Sequence, residues 1–188
     1  MCKSMSLDKT IEKTIEQVLS GDDEAFSILV NVYKNRVFSL AYRMITSKEE
    51  AEDISQEVFF KVYSNLKYYD PKKAKFSTWI YKITYNRCMD FLRRGKYTLP
   101  LEEEVLPTYN NTPEEMAIIS EEIHGLNKAV NELPEDYRIP LTLYHFHGLS
   151  YNEICQVMDV HLSIVKNRLY RARKMLKETL TGGGFHGV

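Results

Sequence analysis

An all-α fold of two small helical domains is the class this sequence predicts, and three observations predict it. Apolar residues recur at helical spacing through two long blocks, strand-like alternation is nearly absent, and proline and glycine are scarce inside the periodic stretches. A short segment rich in proline and acids separates the blocks and reads as a flexible linker. At 188 residues, 44% of them hydrophobic, the chain has enough apolar material for two packed cores.

The first block is taken as residues 21–97, preceded by a partly helical N-terminal segment, 1–20. Ala25, Leu29, Val32, Val37, Leu40 and Ile45 keep helical spacing as far as a break near Thr46-Ser47. A second helix, from about Lys48 to Leu66, places Ile54, Val58 and Val62 four apart. Asp70-Pro71 then forces a turn, because proline lacks a donor and restricts the residue before it. A third helix is predicted from near Ser77 to Arg94, where Gly95 stops it. The acidic linker is set at 98–117, with Pro100, Pro107 and Pro113 among Glu102, Glu103, Glu104, Glu114 and Glu115. Periodicity resumes near Met116, and the second domain is set at 118–181, with a break at Leu133-Pro134 and a short helix from Tyr137 to His147. Residues 182–188, glycine-rich and terminal, read as a disordered tail.

The end of the second domain reads as a helix-turn-helix. Ser150 and Glu153 form a capping box, each side chain able to satisfy a backbone donor at a helix start. Asp159-Val160-His161 makes a tight connection to a helix over about Ser163 to Thr179. On that helix Val165, Leu169, Ala172 and Leu176 share one narrow stripe, while Ser163, Asn167, Tyr170, Arg171 and Lys174 face the other way. A helix docked by an apolar stripe with a polar, basic face outward suits the DNA major groove. Ser163, Ile164, Lys166 and Asn167, near its N-terminus, are the expected base readers; Asn can pair both groups of adenine, and Ile164 can touch a thymine methyl. Arg168, Arg171, Arg173 and Lys174 are expected to grip phosphates.

The first domain carries a different surface. Between Lys72 and Lys96 eight basic residues face a lone acid, Asp90, with aromatics interleaved. Trp79, Lys82, Asn86 and Arg93 lie at spacings of three, four and seven and form a stripe apart from the Ile80, Ile83, Phe91 face. Flat rings beside basic groups suit single-stranded nucleic acid, where bases stack and phosphates pair. On the preceding helix Asp53, Gln56, Glu57 and Phe60 make an acidic-polar face with one apolar anchor, which would repel DNA and points to a protein partner.

Other classes fit less well. Formal net charge is −1, so any nucleic-acid affinity must be local. No window approaches the ~20 apolar residues of a membrane-spanning helix, and no secretory signal is visible, so a cytoplasmic chain is expected. Cys2, Cys88 and Cys155 are odd in number and widely spaced, as for reduced thiols. His145 and His147, the nearest histidine pair, point apart on a helix with no further ligand, so no metal, cofactor or catalytic residue is assigned. A ligand-sensing helix-turn-helix regulator would need an apolar pocket and usually a dimer, and an adaptor that binds only a protein partner would not need Asn167 or Arg171.

Ala51-Glu52-Asp53-Ile54-Ser55-Gln56-Glu57-Val58-Phe59, then Lys75-Phe76-Ser77-Thr78-Trp79-Ile80-Tyr81-Lys82-Ile83-Thr84-Tyr85-Asn86, closely resemble the second region of extracytoplasmic-function sigma factors. Leu133-Pro134-Glu135-Asp136-Tyr137-Arg138, Leu149-Ser150-Tyr151-Asn152-Glu153-Ile154 and Val165 to Arg173 resemble the fourth. The resemblance covers nearly everything from Gly21 to Leu180. It implies a non-catalytic RNA polymerase subunit that directs promoter-specific initiation. Asp53, Gln56, Glu57 and Phe60 would grip the β′ coiled coil of the core enzyme. The loop Tyr69 to Lys75, with Asn86, would hold a base flipped from the minus-ten element, and Trp79, Lys82 and Arg93 would support melting. The last helix would read the minus-thirty-five duplex, held by the β flap. An anti-sigma factor, often membrane-bound in this family, is the further partner implied, and no small-molecule substrate is. The chain departs from the family pattern at His161, Ser163, Ile164 and Asn167, where Pro, Gly, Thr and Ser/Thr are common, and at Cys155, where alanine is usual. Its minus-thirty-five sequence is therefore not carried over.

Overall fold

The computed structural model describes residues 2–94 and 125–182, with side chains at 8–94 and 125–181; the linker at 98–117, the resumption near Met116 and the tail beyond 182 lie outside the described residues. The described elements are α1 (Cys2–Leu19), α2 (Asp23–Ile45), α3 (Lys48–Asn65), a 3₁₀ turn (Leu66–Tyr68), α4 (Phe76–Arg94), α5 (residues 125–131), α6 (Glu135–His145), α7 (Tyr151–Met158) and α8 (Leu162–Gly182), with no strand among them.

Helix ends in the first unit follow side-chain chemistry. Asp22 caps α2 by accepting from the Ala25 amide at 3.1 Å. The α2–α3 corner is two residues wide: Thr46 takes φ 63°, an uncommon conformation for a β-branched side chain, and Ser47 caps α3. The predicted break falls there. Leu29, Tyr33, Val37 and Leu40 of α2 meet Ala51, Ile54, Val58 and Val62 of α3 and Phe76 and Ile80 of α4, all buried. The N-terminal segment, set apart in the sequence reading, is helical and joins this bundle. Ile11, Ile15 and Val18, spaced four and three, are buried on the α1 face packed against α2.

In the second unit Ile139 and Leu143 of α6, Ile154 and Val157 of α7, and Val165, Leu169 and Ala172 of α8 form the interior. The capping box at α7 is present in both directions: Ser150 accepts from the Glu153 amide, and Glu153 accepts from the Ser150 amide at 2.8 Å. Asp159 ends α7 at φ 56°, a left-handed position that Asp tolerates better than most side chains. The Leu133-Pro134 break is clasped by Arg138, which donates to the carbonyls of Asn131 (2.8 Å) and Leu133 (3.4 Å).

The two units are packed together, and their buried apolar residues form one contiguous cluster. The seam joins α4 to α7 and α2 to α6. Tyr81 of α4, 0% exposed, has its ring 4.9 Å from that of His147. Arg43 of α2, 5% exposed, lies 3.8 Å over the ring of Phe146 and donates to Asn127 at 3.5 Å. Arg138 reaches the Met44 carbonyl at 3.5 Å, and Lys75 pairs with Glu153 at 3.2 Å.

His147 makes stability depend on pH. Burial, then the nearby Arg43 and Arg36, lower its pKa from 6.5 to about 4. The unfolded chain therefore binds the proton first, so stability is full above the unfolded value and is lost as pH falls toward the folded one. Between pH 7 and pH 5 the folded state should lose about 2 kcal/mol from this group. Urea unfolding at the two pH values should show that loss, and His147→Gln should abolish most of it.

Candidate functional site

Three surfaces gather the side chains singled out in the sequence. On α3, Asp53, Gln56, Glu57 and Phe60 are exposed while Ala51, Ile54 and Val58 face the core. Phe60 is 75% exposed, a large apolar surface left in water. It stands beside an open groove lined also by Gln56, Glu57, Lys61, Arg87 and Arg94. Arg87 donates to Glu57, and this bond holds the Glu57 carboxyl below its ordinary range. The surface is thus half acidic and half basic, not uniformly acidic. Arg87, grouped by sequence with the basic segment, is turned toward α3 instead. The i, i+4 spacing of Glu57 and Lys61 was the one sequence signal for the basic side.

The second surface is the loop before α4 and the helix itself. Tyr69, Phe76 and Trp79 form a ring cluster with centroids 5.4–5.7 Å apart, and Phe76 is anchored edge-on to Tyr33 at 5.3 Å. The Tyr69 hydroxyl donates to the Ala74 carbonyl at 3.2 Å, closing the loop across its neck. Inside the loop Asp70 accepts from the Lys72 amide at 3.0 Å and lies 3.8 Å from the Lys73 ammonium. Asn86 and Arg93 are exposed, and Trp79 and Lys82 are half-buried. Tyr69 is thus a strut of the loop and Trp79 a partly covered platform. Burial, then Glu12 and Asp8 of α1, push the Tyr69 phenol up to about 12. The sequence offered no sign that α1 acids stand beside this loop.

The third surface is α8. Ser163, Ile164, Lys166, Asn167, Arg171, Arg173 and Lys174 are exposed, opposite buried Val165, Leu169 and Ala172. Ser163, Ile164, Asn167, Arg168 and Arg171 line an open groove with Asp136 and Tyr137 of α6. Arg168, half-buried, is ion-paired with Asp136, and Arg171 donates to the Tyr137 hydroxyl at 3.4 Å. Arg173 reaches the Tyr151 hydroxyl at 3.5 Å and the Tyr144 ring at 5.3 Å, and Lys174 lies 3.8 Å from Glu178. The reading missed the α6 wall of this groove. Asp136 and Tyr137 lie more than thirty residues from their partners in α8, beyond any local pattern.

Among the described residues no group of three potential metal ligands comes together, and no helix is long and apolar enough to cross a membrane. Cys88 and Cys155 are free thiols, and burial pushes the Cys88 thiol up to about 12. Open, charged grooves on two helical units define a class: a DNA-binding protein with a helix-turn-helix in one unit and an aromatic-basic helix in the other.

Residues 29–97 match the family described as Sigma-70 region 2, and residues 124–176 match Sigma-70, region 4. The chain is 34% identical over 185 residues to the ECF RNA polymerase sigma factor SigW of Bacillus subtilis, covering 93% of this chain and 98% of that protein. It is 32% identical over 184 residues to the ECF RNA polymerase sigma-E factor of Escherichia coli K12, covering 92% and 95%. Among solved structures, the sigma factor RpoE of Bartonella quintana, in complex with the anti-sigma factor NepR, shares the fold with a TM-score of 0.67 at 19% identity, covering 83% of this chain and 96% of that one. CnrH, in complex with the cytosolic domain of CnrY, does so at 0.66 and 21%, covering 90% and 96%. The chain belongs to the ECF sigma factors, which direct promoter-specific transcription by RNA polymerase.

The Tyr69 strut can be tested on its own. Tyr69→Phe keeps the ring cluster and removes only the bond to Ala74, so it should cost about 1 kcal/mol in urea unfolding. A larger loss would mean that the hydroxyl supports more than the loop.

Proposed function

We propose that the chain docks on the core enzyme through the α3 surface, with Phe60 entering a cleft beside the β′ coiled coil and Asp53, Gln56 and Glu57 pairing around it. The loop 69–75 with Asn86 takes a flipped minus-ten base. Trp79, Lys82 and Arg93 stack on and grip the melted strand. The α8 face reads the minus-thirty-five duplex while the β flap holds the second unit. The observation that carries this reading is the division of one chain into two DNA-suited faces and a separate surface with a bare phenylalanine at its centre.

The chain does no covalent chemistry in this reading. It supplies the free-energy difference between promoter and other DNA, and extrusion of a base, which costs a few kcal/mol, is offset by a fitted site. Each half alone binds DNA weakly, and the core enzyme tethers both to raise their effective concentration. The chain works in the cytoplasm, and an anti-sigma factor restrains it there, or at the membrane when that factor is membrane-bound. The RpoE–NepR complex supports such a partner by likeness of fold.

Run-off transcription with purified core polymerase and a randomised promoter pool tests the proposal directly: starts should appear at a defined motif only when the chain is present. Within that holoenzyme, Asn167→Ala should relax discrimination at one minus-thirty-five base pair by about 1–3 kcal/mol. Lys174→Ala should weaken all sequences alike and lower the salt slope by about one. Equal effects from the two variants would contradict the assignment of reader and phosphate grip.

A further inference from the structure

The docking groove on α3 has a second wall, built from residues that the sequence groups with the DNA-facing segment. Arg87 belongs to the basic stretch 72–96, yet from α4 it reaches across to α3 and donates from Nε to Glu57 Oε2. Its side chain is 20% exposed and that of Glu57 is 52% exposed, so the guanidinium is the covered partner and the carboxylate is offered outward. Asp90 and Arg94, three and seven residues on, share this face of α4 and line the groove with Arg87, Lys61 and Phe60. We propose that Arg87 is a positioning residue for docking: it holds the Glu57 carboxylate where a basic side chain of the core enzyme meets it, and with Lys61 and Arg94 it gives the groove a cationic wall for an acidic side chain of the same partner. This inference rests on the α3 docking surface proposed above and names the chemistry that its partner presents.

A glutamate left to itself samples many rotamers, and immobilising one on binding costs about three- to tenfold in affinity. Arg87 removes that cost in advance. A carboxylate has two oxygens, and the bond to Arg87 takes Oε2, which leaves Oε1 for a second donor. The bond, with the fields of Arg87 and Arg94, holds the Glu57 carboxyl below its ordinary range against the opposing effect of burial. The group therefore stays charged when a partner covers it.

The arrangement selects as well as binds. Glu57 and Asp90 line the groove together with Lys61, Arg87 and Arg94, and Phe60 stands among them, 75% exposed. A uniformly acidic ligand meets two carboxylates there, and a uniformly basic one meets three cations; each juxtaposition of like charges costs affinity. DNA, which is uniformly negative, is therefore disfavoured on this face of α4. A protein surface of mixed charge, with a recess for one aromatic ring, satisfies every group, and the ring is its anchor.

Binding of the full-length chain, labelled at its N-terminus, to purified core polymerase tests this through a double-mutant cycle. Arg87→Met keeps the apolar stem and removes the charge. It should weaken binding about three- to tenfold, mainly through faster dissociation, with the urea unfolding midpoint little changed. Glu57→Gln should cost as much or more, and the double variant should bind no more weakly than Glu57→Gln alone, because Arg87 acts through Glu57. Arg87→Lys should lie between Arg87→Met and the native chain, and it takes the place of Arg87→Met in the cycle if that variant does not fold. Affinity unchanged or raised by the Arg87 substitution would overturn the proposal, as would losses that multiply in the double variant. If Phe60→Ala also left core affinity intact, the α3 docking reading would fail instead; a loss with Phe60→Ala and none at Arg87 would sink this inference alone.

Discussion

Helix α4 must satisfy three environments with 19 residues, and the rest of the structure is arranged around that demand. Phe76, Ile80 and Thr84 turn into the first bundle, and Tyr81 is closed over from the second unit's side. On the remaining arc Asn86 and Arg93 face water and Lys82 is half-buried. A helix offers only about 3.6 positions per turn, so few residues on α4 are free of duty. The aromatic cluster at its start settles the conflict. Tyr33 and Tyr69 hold Phe76, Phe76 and Tyr69 hold Trp79, and the ring proposed to stack on DNA is thereby set before DNA arrives.

Charge is organised on the same principle of local pairing. The formal net charge of −1 arises from nearly equal numbers of acids and bases, and many meet in pairs. Of the eight basic side chains assigned to DNA, Lys75, Arg93, Arg168 and Lys174 each have an acid within ion-pair distance. Exposed pairs of this kind are worth little, 0–1 kcal/mol by typical measure, so phosphates can replace the carboxylates at small cost. Until then the pairs orient the bases and blunt their attraction for DNA at large.

Much of this was legible in the sequence because it is local. The capping box at Ser150 and Glu153, the break at Thr46-Ser47 and the Val165, Leu169, Ala172 stripe each depend on residues within a few positions, and the structure has them where periodicity and capping chemistry put them. The α1 helix was under-read although Ile11, Ile15 and Val18 carry a helical signal, because no cap or turn residue announced a role for it. What stayed hidden depends on approach in space. Arg87 meets Glu57 across 30 residues and Arg43 meets Asn127 across 84, and no periodicity encodes such partners. The same holds for Asp136 and Tyr137, which the sequence offered as a motif and the structure makes into the wall of the α8 groove.

The continuous core raises a question of stability that the polar seam answers. The second unit is small: its interior is built from α5 to α8, and domains of this size bury too little surface to be more than marginal alone. Docking on α4 lends it apolar cover through Tyr81, while the unpaired atoms of Arg43 and His147 oppose that contact. An all-apolar seam would leave no buried polar atom unpaired and would give a more stable molecule. A wholly polar one would leave the helix-turn-helix without support in the free chain. The mixture actually present joins the two units through apolar contact while leaving polar atoms buried between them.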